Sequence, residues 1–150
     1  MGNMKLEAIA VRATPRKKMT ELSKACVTNE RGVDGDSRGN AGPRQVTVLS
    51  SEAWHAACRD VGTDLPWTLR RANLLIRGIK LADTTGATLR IGKVLLEITG
   101  ETLPCSRMDE QHPGLTQSLE PDWRGGVCCL VRVAGVVRVG DDVEINQGTR

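Results

Sequence analysis

The chain has 150 residues, 39% of them hydrophobic and 26% charged, which predicts one globular domain over residues 1–150 rather than a disordered segment. The net charge of +3 is too small to indicate nucleic-acid binding, and without Phe or Tyr there is little aromatic surface for stacking bases. No apolar run reaches the roughly 18 residues that a membrane helix needs. Since no signal peptide is recognisable, we expect a soluble, cytoplasmic protein.

Short apolar stretches separated by Gly, Pro and polar residues predict strands along most of the chain. The predicted strands are 6–11, 45–49, 73–76, 79–81, 89–91, 94–98, 127–133, 136–139 and 143–145. Apolar residues at helical spacing, Cys58 among them, predict one helix that begins after Ser50 or Ser51, ends at Gly62 and buries Cys58 in the core. One or two helical turns are expected within 114–119.

Glycine-rich segments predict the connections between these elements. Residues 29–43 combine Gly, Asp, Asn and Arg with few apolar residues and are typical of a long loop. The strand–glycine–strand pattern at Gly92 and again at Gly140 predicts two hairpin turns with positive φ. Many short strands and one clear helix favour a mainly β fold, a barrel or a sandwich, over a doubly wound sheet.

Cys105 is the residue on which the chemical interpretation depends. It follows Pro104 in a polar turn, and Arg107 lies two residues further on. A guanidinium beside a thiol favours the thiolate, which is both a nucleophile and a soft metal ligand. The alternative is a small buried thiol at a strand end. The odd number of five cysteines and the absence of CxxC and HExxH motifs argue against a disulfide framework and a structural zinc site.

Two further groups of polar residues are candidate binding elements. Arg70, Arg71 and Asn73 head a predicted strand and suit a phosphate or a polar heterocycle, although a surface Arg pair is the alternative. Asp34 and Asp36 lie in the long loop, where they would bind a cation or, as we favour, cap a turn. No glycine pattern has the spacing of a nucleotide-binding loop.

The order of the short motifs is more specific than any one of them. In chain order they are Gly35-Asp36, 44–49, Glu52, 71–74, Gly78, Leu81, Gly86, 89–92, Pro104-Cys105, 125–127, Gly135 and 140–143. This ordered set resembles a MOSC domain, the module named after the C-terminal part of molybdenum cofactor sulfurases. The resemblance covers about residues 30–146.

The resemblance implies a β-barrel of short, largely antiparallel strands with one or two short helices. It also implies a single functional cysteine, matched by Cys105. In relatives that reduce N-hydroxylated compounds, that cysteine binds the molybdenum of the molybdenum cofactor (molybdopterin). An Arg-x-Asn element that binds the pterin phosphate is matched by Arg71 and Asn73, and Arg44 and Arg107 are further candidates for the same role.

Other relatives are proposed to carry sulfur, so a persulfide on Cys105 loaded by a cysteine desulfurase is the alternative function. A non-catalytic module that binds an anion or a cofactor is the second alternative. The sequence contains no ferredoxin-type cysteine cluster and no histidine within 36–43, and we expect it to lack the N-terminal β-barrel domain of the reductase members. Electrons would therefore come from a partner protein. No zinc, nucleotide, haem, nucleic acid or membrane is expected, and a homodimer stays open.

Overall fold

The computed structural model describes residues 4–15, 17–37 and 42–147, and within these ranges the fold is mainly β. The strands are β1 Lys5–Val11, β2 Thr20–Leu22, β3 Lys24–Thr28, β4 Gly32–Val33, β5 Val46–Ser50, β6 Leu74–Arg77, β7 Thr88–Ile91, β8 Val94–Glu101, β9 Val127–Val133, β10 Gly135–Arg138 and β11 Val143–Asn146. The helices are α1 Ser51–Val61, α2 Arg107–Gln111 and α3 Leu115–Ser118, with 3-10 turns at Trp67–Arg70 and Pro121–Trp123.

The strands form two sheets. The larger has the order β11-β7-β8-β9-β5-β6-β1-β2, and the smaller has the order β10-β3-β4. Among the described residues, the paired strands are antiparallel except β5 and β6, which run parallel because α1 leads from the end of β5 back towards the start of β6. The largely antiparallel pairing agrees with the expectation from the sequence.

Closure of the sheet into a barrel, expected from the resemblance, is not confirmed. Strand pairing among the described residues leaves β11 and β2 at the two ends of the larger sheet. The start of β1 nevertheless contacts the chain before β11, where Leu6 N donates to the Asp141 carbonyl at 2.9 Å and Gly140 N donates to the Leu6 carbonyl at 2.8 Å. These are a few hydrogen bonds beside an isolated bridge, not a continuous strand ladder.

Two apolar clusters cover opposite faces of the central strands. On β5, Val48 packs in the larger cluster and Leu49 in the smaller one, while on β6 Leu74 and Leu75 divide in the same way. Successive side chains of a strand point to opposite faces, so both faces of these strands are buried. The smaller cluster includes α1, whose Trp54 is only 2% exposed.

Helix α1 confirms the helix prediction. Ser50 is its N-cap and accepts a hydrogen bond from Ala53 N at 3.2 Å, and Gly62 follows its last residue with φ 75°. Cys58 is buried, as the spacing predicts. In the second helical region, α3 lies within the predicted 114–119.

The structure differs from the sequence prediction in two places, at residues 79–81 and at Gly140. Residues 79–81 do not form a strand; Ile79 and Leu81 are buried in the larger cluster without strand pairing. Gly140 has φ 97° but forms no hairpin turn, because β10 pairs with β3 and β11 pairs with β7. The prediction at Gly92 is confirmed, since it joins the paired strands β7 and β8 with φ 57°.

Several elements were not predicted at all. Strand β4 lies inside the predicted loop 29–43, of which residues 38–41 are outside the described residues. Strands β2 and β3 and helix α2 were also not predicted from the sequence. Within the described part of the chain, no helix is long and apolar enough to cross a membrane.

Candidate functional site

A cavity of about 100 Å³ lies where the chain before β6, the segment after β8 and the segment before β9 meet. Its lining residues are Thr47, Arg70, Arg71, Ala72, Thr102, Cys105, Arg107, Met108 and Gly125. The structure thus brings together Cys105, Arg71 and Arg107 of the five predicted site residues. Every charged side chain in the lining is an arginine.

Cys105 lies in the turn between β8 and α2, and its residue is exposed. The alternative of a thiol buried at a strand end is therefore excluded. The Cys105 carbonyl is fixed by two donors, Met108 N at 2.9 Å and Thr116 Oγ1 at 2.9 Å. The main chain at Cys105 is therefore anchored while its thiol remains accessible.

Thr116 connects the Cys105 turn to the two short helices. Its main-chain N–H donates to Asp109 Oδ1 at 2.9 Å, and this hydrogen bond, followed by one from the Thr116 side chain, lowers the pKa of Asp109 below its ordinary value. The helices are anchored in turn by Met108 and Leu115, which are buried in the smaller cluster with α1. The position of Cys105 thus depends on a network that ends in the core.

Arg71 and Arg107 provide cationic side chains on the same cavity. Arg71 has φ 66°, a left-handed conformation that ends the Trp67–Arg70 turn, and Arg107 is the first residue of α2. Among the described residues, neither guanidinium has a hydrogen bond or an ion pair. Two guanidiniums without acidic partners beside one cavity are suited to an anion, because each presents a fork of N–H donors.

Arg70 has a different role from its neighbour. Its Nε donates to the Gly125 carbonyl at 3.0 Å and its Nη2 donates to the Thr102 carbonyl at 2.9 Å. Gly125 makes this approach feasible, because a Cβ there would lie 2.5 Å from the Thr102 carbonyl oxygen and 2.9 Å from Arg70 Nη2. Arg70 therefore holds two walls of the cavity together.

Asn73 lies beside the cavity but is not one of its lining residues. The side chain is 4% exposed, and its Oδ1 accepts from Thr47 N at 3.1 Å and from Thr47 Oγ1 at 3.2 Å. Its Nδ2 donates to the Ala10 carbonyl at 3.3 Å. Asn73 therefore positions Thr47, which does line the cavity.

Arg44 is exposed in the turn before β5 and is also absent from the cavity lining. Binding of the pterin phosphate by Arg44, and by Asn73 directly, therefore stays a prediction. Of the acidic pair in the loop, Asp36 accepts the main-chain N–H of Arg12 at 3.0 Å, an interaction that fixes the backbone. Among the described residues, no group of three His, Cys, Asp or Glu side chains could hold a metal ion.

Three lining residues, Thr47, Thr102 and Gly125, were not predicted as site residues, and Arg70 was predicted to bind an anion rather than to join the cavity walls. Thr47 and Thr102 supply hydroxyl groups, while Arg70 and Gly125 set the distance between the walls. The glycine pair at 125–126, placed directly before an apolar strand, was the available signal for a close backbone approach. The pairing of Arg70 with carbonyl oxygens had no local signal.

The remaining thiols lie outside the cavity lining. Cys26 is exposed, whereas Cys58, Cys128 and Cys129 are buried. Burial, and to a smaller extent the neighbouring Cys128, raises the pKa of Cys129 above its ordinary value. Cys129 therefore stays protonated at neutral pH, and Cys105 is the cysteine that combines exposure with the arginine-lined cavity.

Comparison with known proteins decides the family. The model of the MOSC domain matches residues 34–144. The chain belongs to the MOSC family. The resemblance inferred from the ordered motifs is thereby confirmed, and its boundaries of about 30–146 are close to those of the match. A search of curated proteins gave no match.

Three solved structures show the same fold at low sequence identity. The YuaD protein from Bacillus subtilis is 20% identical with a TM-score of 0.80, and the match covers 95% of this chain and 94% of that one. YiiM from Geobacillus stearothermophilus is 16% identical with a TM-score of 0.74, covering 95% and 75%. YiiM from Escherichia coli is 15% identical with a TM-score of 0.70, covering 95% and 69%.

Proposed function

We propose that this MOSC protein binds the molybdenum cofactor, with Cys105 as the sulfur ligand of the metal. One observation carries the proposal: an exposed thiol shares a cavity with two guanidiniums that have no acidic partner among the described residues. A thiolate is a soft metal ligand, and guanidiniums bind phosphate through paired N–H donors. The association of the family with this cofactor supports the same choice.

The residues present fit the two ends of the cofactor that they would contact. Arg71 and Arg107 match the charge of the pterin phosphate, and Cys105 offers the sulfur. The cavity volume of about 100 Å³ suits a phosphate-sized group and is smaller than the roughly 300 Å³ at which pockets for larger organic ligands begin. The fit therefore concerns the phosphate and the metal ligand, and not the pterin ring.

The chain's own residues would act by binding and positioning. Arg71 and Arg107 would hold the phosphate, while Arg70 and Gly125 keep the cavity walls at their separation. The Thr116 hydrogen bond would keep the Cys105 main chain in place. The bound molybdenum centre would supply the redox chemistry for reducing N-hydroxylated compounds, with electrons from a partner protein.

The experiment is anaerobic incubation with released molybdenum cofactor, followed by native mass spectrometry and metal analysis. Wild type is compared with Cys105→Ala and with Cys26→Ala, the matched control at the other exposed thiol. We expect bound cofactor in wild type and in Cys26→Ala and its loss in Cys105→Ala. Equal molybdenum in all three proteins would refute the assignment of Cys105.

A second function, sulfur carriage, is favoured by the small volume of the cavity and the exposure of its thiol. A partner must reach the sulfur of Cys105 to load and unload it, and a persulfide needs little space. We expect a cysteine desulfurase with cysteine to add one sulfur to Cys105. Sulfur spread equally between Cys105 and Cys26 would contradict a dedicated carrier site.

A further inference from the structure

We infer that Cys105 accepts sulfane sulfur directly from thiosulfate, a small inorganic dianion. The inference rests on the sulfur-carrier function proposed above and adds a substrate to it. It would make the protein a sulfurtransferase that does not depend on a desulfurase for loading. Three features of the cavity carry it: its volume, its charge and the position of the thiol.

The volume favours a small anion over an organic sulfur donor. About 100 Å³ accommodates a tetrahedral sulfur oxyanion, whereas pockets for larger organic ligands begin at roughly 300 Å³. The hydroxyl-bearing residues Thr47 and Thr102 also line the cavity, but their hydroxyl groups are hydrogen-bonded within the protein, to Asn73 Oδ1 and Cys128 Sγ respectively, so the arginines are the donors for the ligand. A donor of this size would fit in the cavity with its terminal sulfur beside the lining thiol.

The charge favours a dianion. Arg71 and Arg107 supply two positive charges, equal to the charge of thiosulfate, and their guanidiniums have no partner among the described residues. Asp and Glu are absent from the lining, so no lining carboxylate would repel the ligand. Guanidinium–sulfonate hydrogen bonds are charge-assisted and therefore among the stronger ones.

The transfer is a simple displacement at sulfur. The Cys105 thiolate attacks the terminal sulfur of thiosulfate, a new S–S bond forms, and the old S–S bond breaks with its electron pair leaving on sulfite. Cysteine persulfide and sulfite carry the same total charge as the reactants, so no further oxidant or reductant is needed. Arg71 and Arg107 stabilise the departing sulfite. Cyanide or an acceptor thiolate then removes the outer sulfur and restores the thiolate.

The chain contains its own control for non-specific reaction. Cys26 is exposed like Cys105 but is not part of the cavity lining. Thiolate chemistry alone would place sulfur on both cysteines, whereas binding by the arginine pair places it on Cys105. The comparison is made within one protein molecule, so concentration, pH and folding are identical for both sites.

The experiment incubates reduced full-length protein with thiosulfate under anaerobic, mildly alkaline conditions. Peptide mass spectrometry locates the added sulfur, and sulfite release gives the rate. Variants are Cys105→Ser, Arg71→Met and Arg107→Met, with Arg77→Met as the control because Arg77 is exposed at the far end of β6. A parallel sample receives a cysteine desulfurase and cysteine in place of thiosulfate.

We expect one sulfur on Cys105, equimolar sulfite, and loss of both in Cys105→Ser. Arg71→Met and Arg107→Met should each slow sulfite release on the order of 10–100-fold, the usual effect of a lost charge-assisted hydrogen bond. Arg77→Met should react like wild type. Equal labelling of Cys26, or unchanged rates in both site arginine variants, would overturn the inference. Loading by the desulfurase but not by thiosulfate would overturn it while leaving the carrier function intact; loading by neither would refute both.

Discussion

Replacing Asn73 tests whether this residue acts through the fold, as its contacts indicate. In Asn73→Ala, the Thr47 N–H loses its acceptor and the Ala10 carbonyl loses a donor, at a position only 4% exposed. An unsatisfied buried polar group costs about 1–3 kcal/mol, so the two together should lower the free energy of unfolding by about 4 kcal/mol. For a domain of this length, that corresponds to roughly 8–16 °C in Tm.

The assay is urea unfolding and thermal melting of ligand-free protein, so that lost ligand contacts do not contribute. Arg44→Ala is the comparison, because Arg44 is an exposed predicted site residue and should change stability by no more than about 0.5 kcal/mol. A decrease below about 1 kcal/mol in Asn73→Ala would refute the structural reasoning. The direct contact with a ligand implied by the Arg-x-Asn resemblance would then be the better explanation for Asn73.

Three further predictions concern the surroundings of Cys105. Gly125→Ala would place a Cβ 2.5 Å from the Thr102 carbonyl oxygen, so we expect the free energy of unfolding measured in urea to fall by about 1–3 kcal/mol and anion binding to weaken. An unchanged free energy of unfolding would contradict the close approach of Gly125 to Thr102. Because the pKa of Asp109 is lowered in the folded protein, its carboxylate stabilises the fold at pH values above the ordinary pKa of 3.8. This stabilisation is lost as the pH falls through the lower pKa of the folded state. Asp109→Asn should therefore make the free energy of unfolding less dependent on pH below 3.8, as measured by acid unfolding. Iodoacetamide should label only the two exposed cysteines in native protein, and peptide mapping that finds a buried one labelled would disagree with the structure.

The sequence predicted those elements whose pattern is local. The limits of β9 and α1 follow from apolar spacing and from the capping residues Ser50 and Gly62, and the structure has them where predicted. Strand β3 escaped prediction because it is stabilised by pairing with β10, more than one hundred residues away. Residues 79–81 show the opposite error: their apolar pattern reports burial in the core, not strand pairing.

The candidate site also contains residues that local sequence predicts and residues whose roles depend on distant contacts. Cys105 and Arg107 lie close together in the chain, and Arg71 was reached through a short motif, so sequence chemistry sufficed for these three. The role of Arg70 depends on the carbonyls of Thr102 and Gly125, which lie in distant segments. Contacts of this kind become visible only when strand pairing has placed the segments together.

Binding of the molybdenum cofactor and sulfur loading from thiosulfate require the same positive charge in the cavity and differ in the size of the ligand. The phosphate of the cofactor and the thiosulfate dianion would both bind to guanidiniums that have no carboxylate partner among the described residues, and the cavity places the Cys105 thiol with Arg71 and Arg107. An arginine substitution that weakens anion binding would therefore agree with either function. Ligand size separates them, because a cavity of about 100 Å³ has room for thiosulfate but only for the phosphate end of a pterin cofactor. Competition between thiosulfate and the released cofactor at Cys105 consequently carries more information than either binding measurement alone.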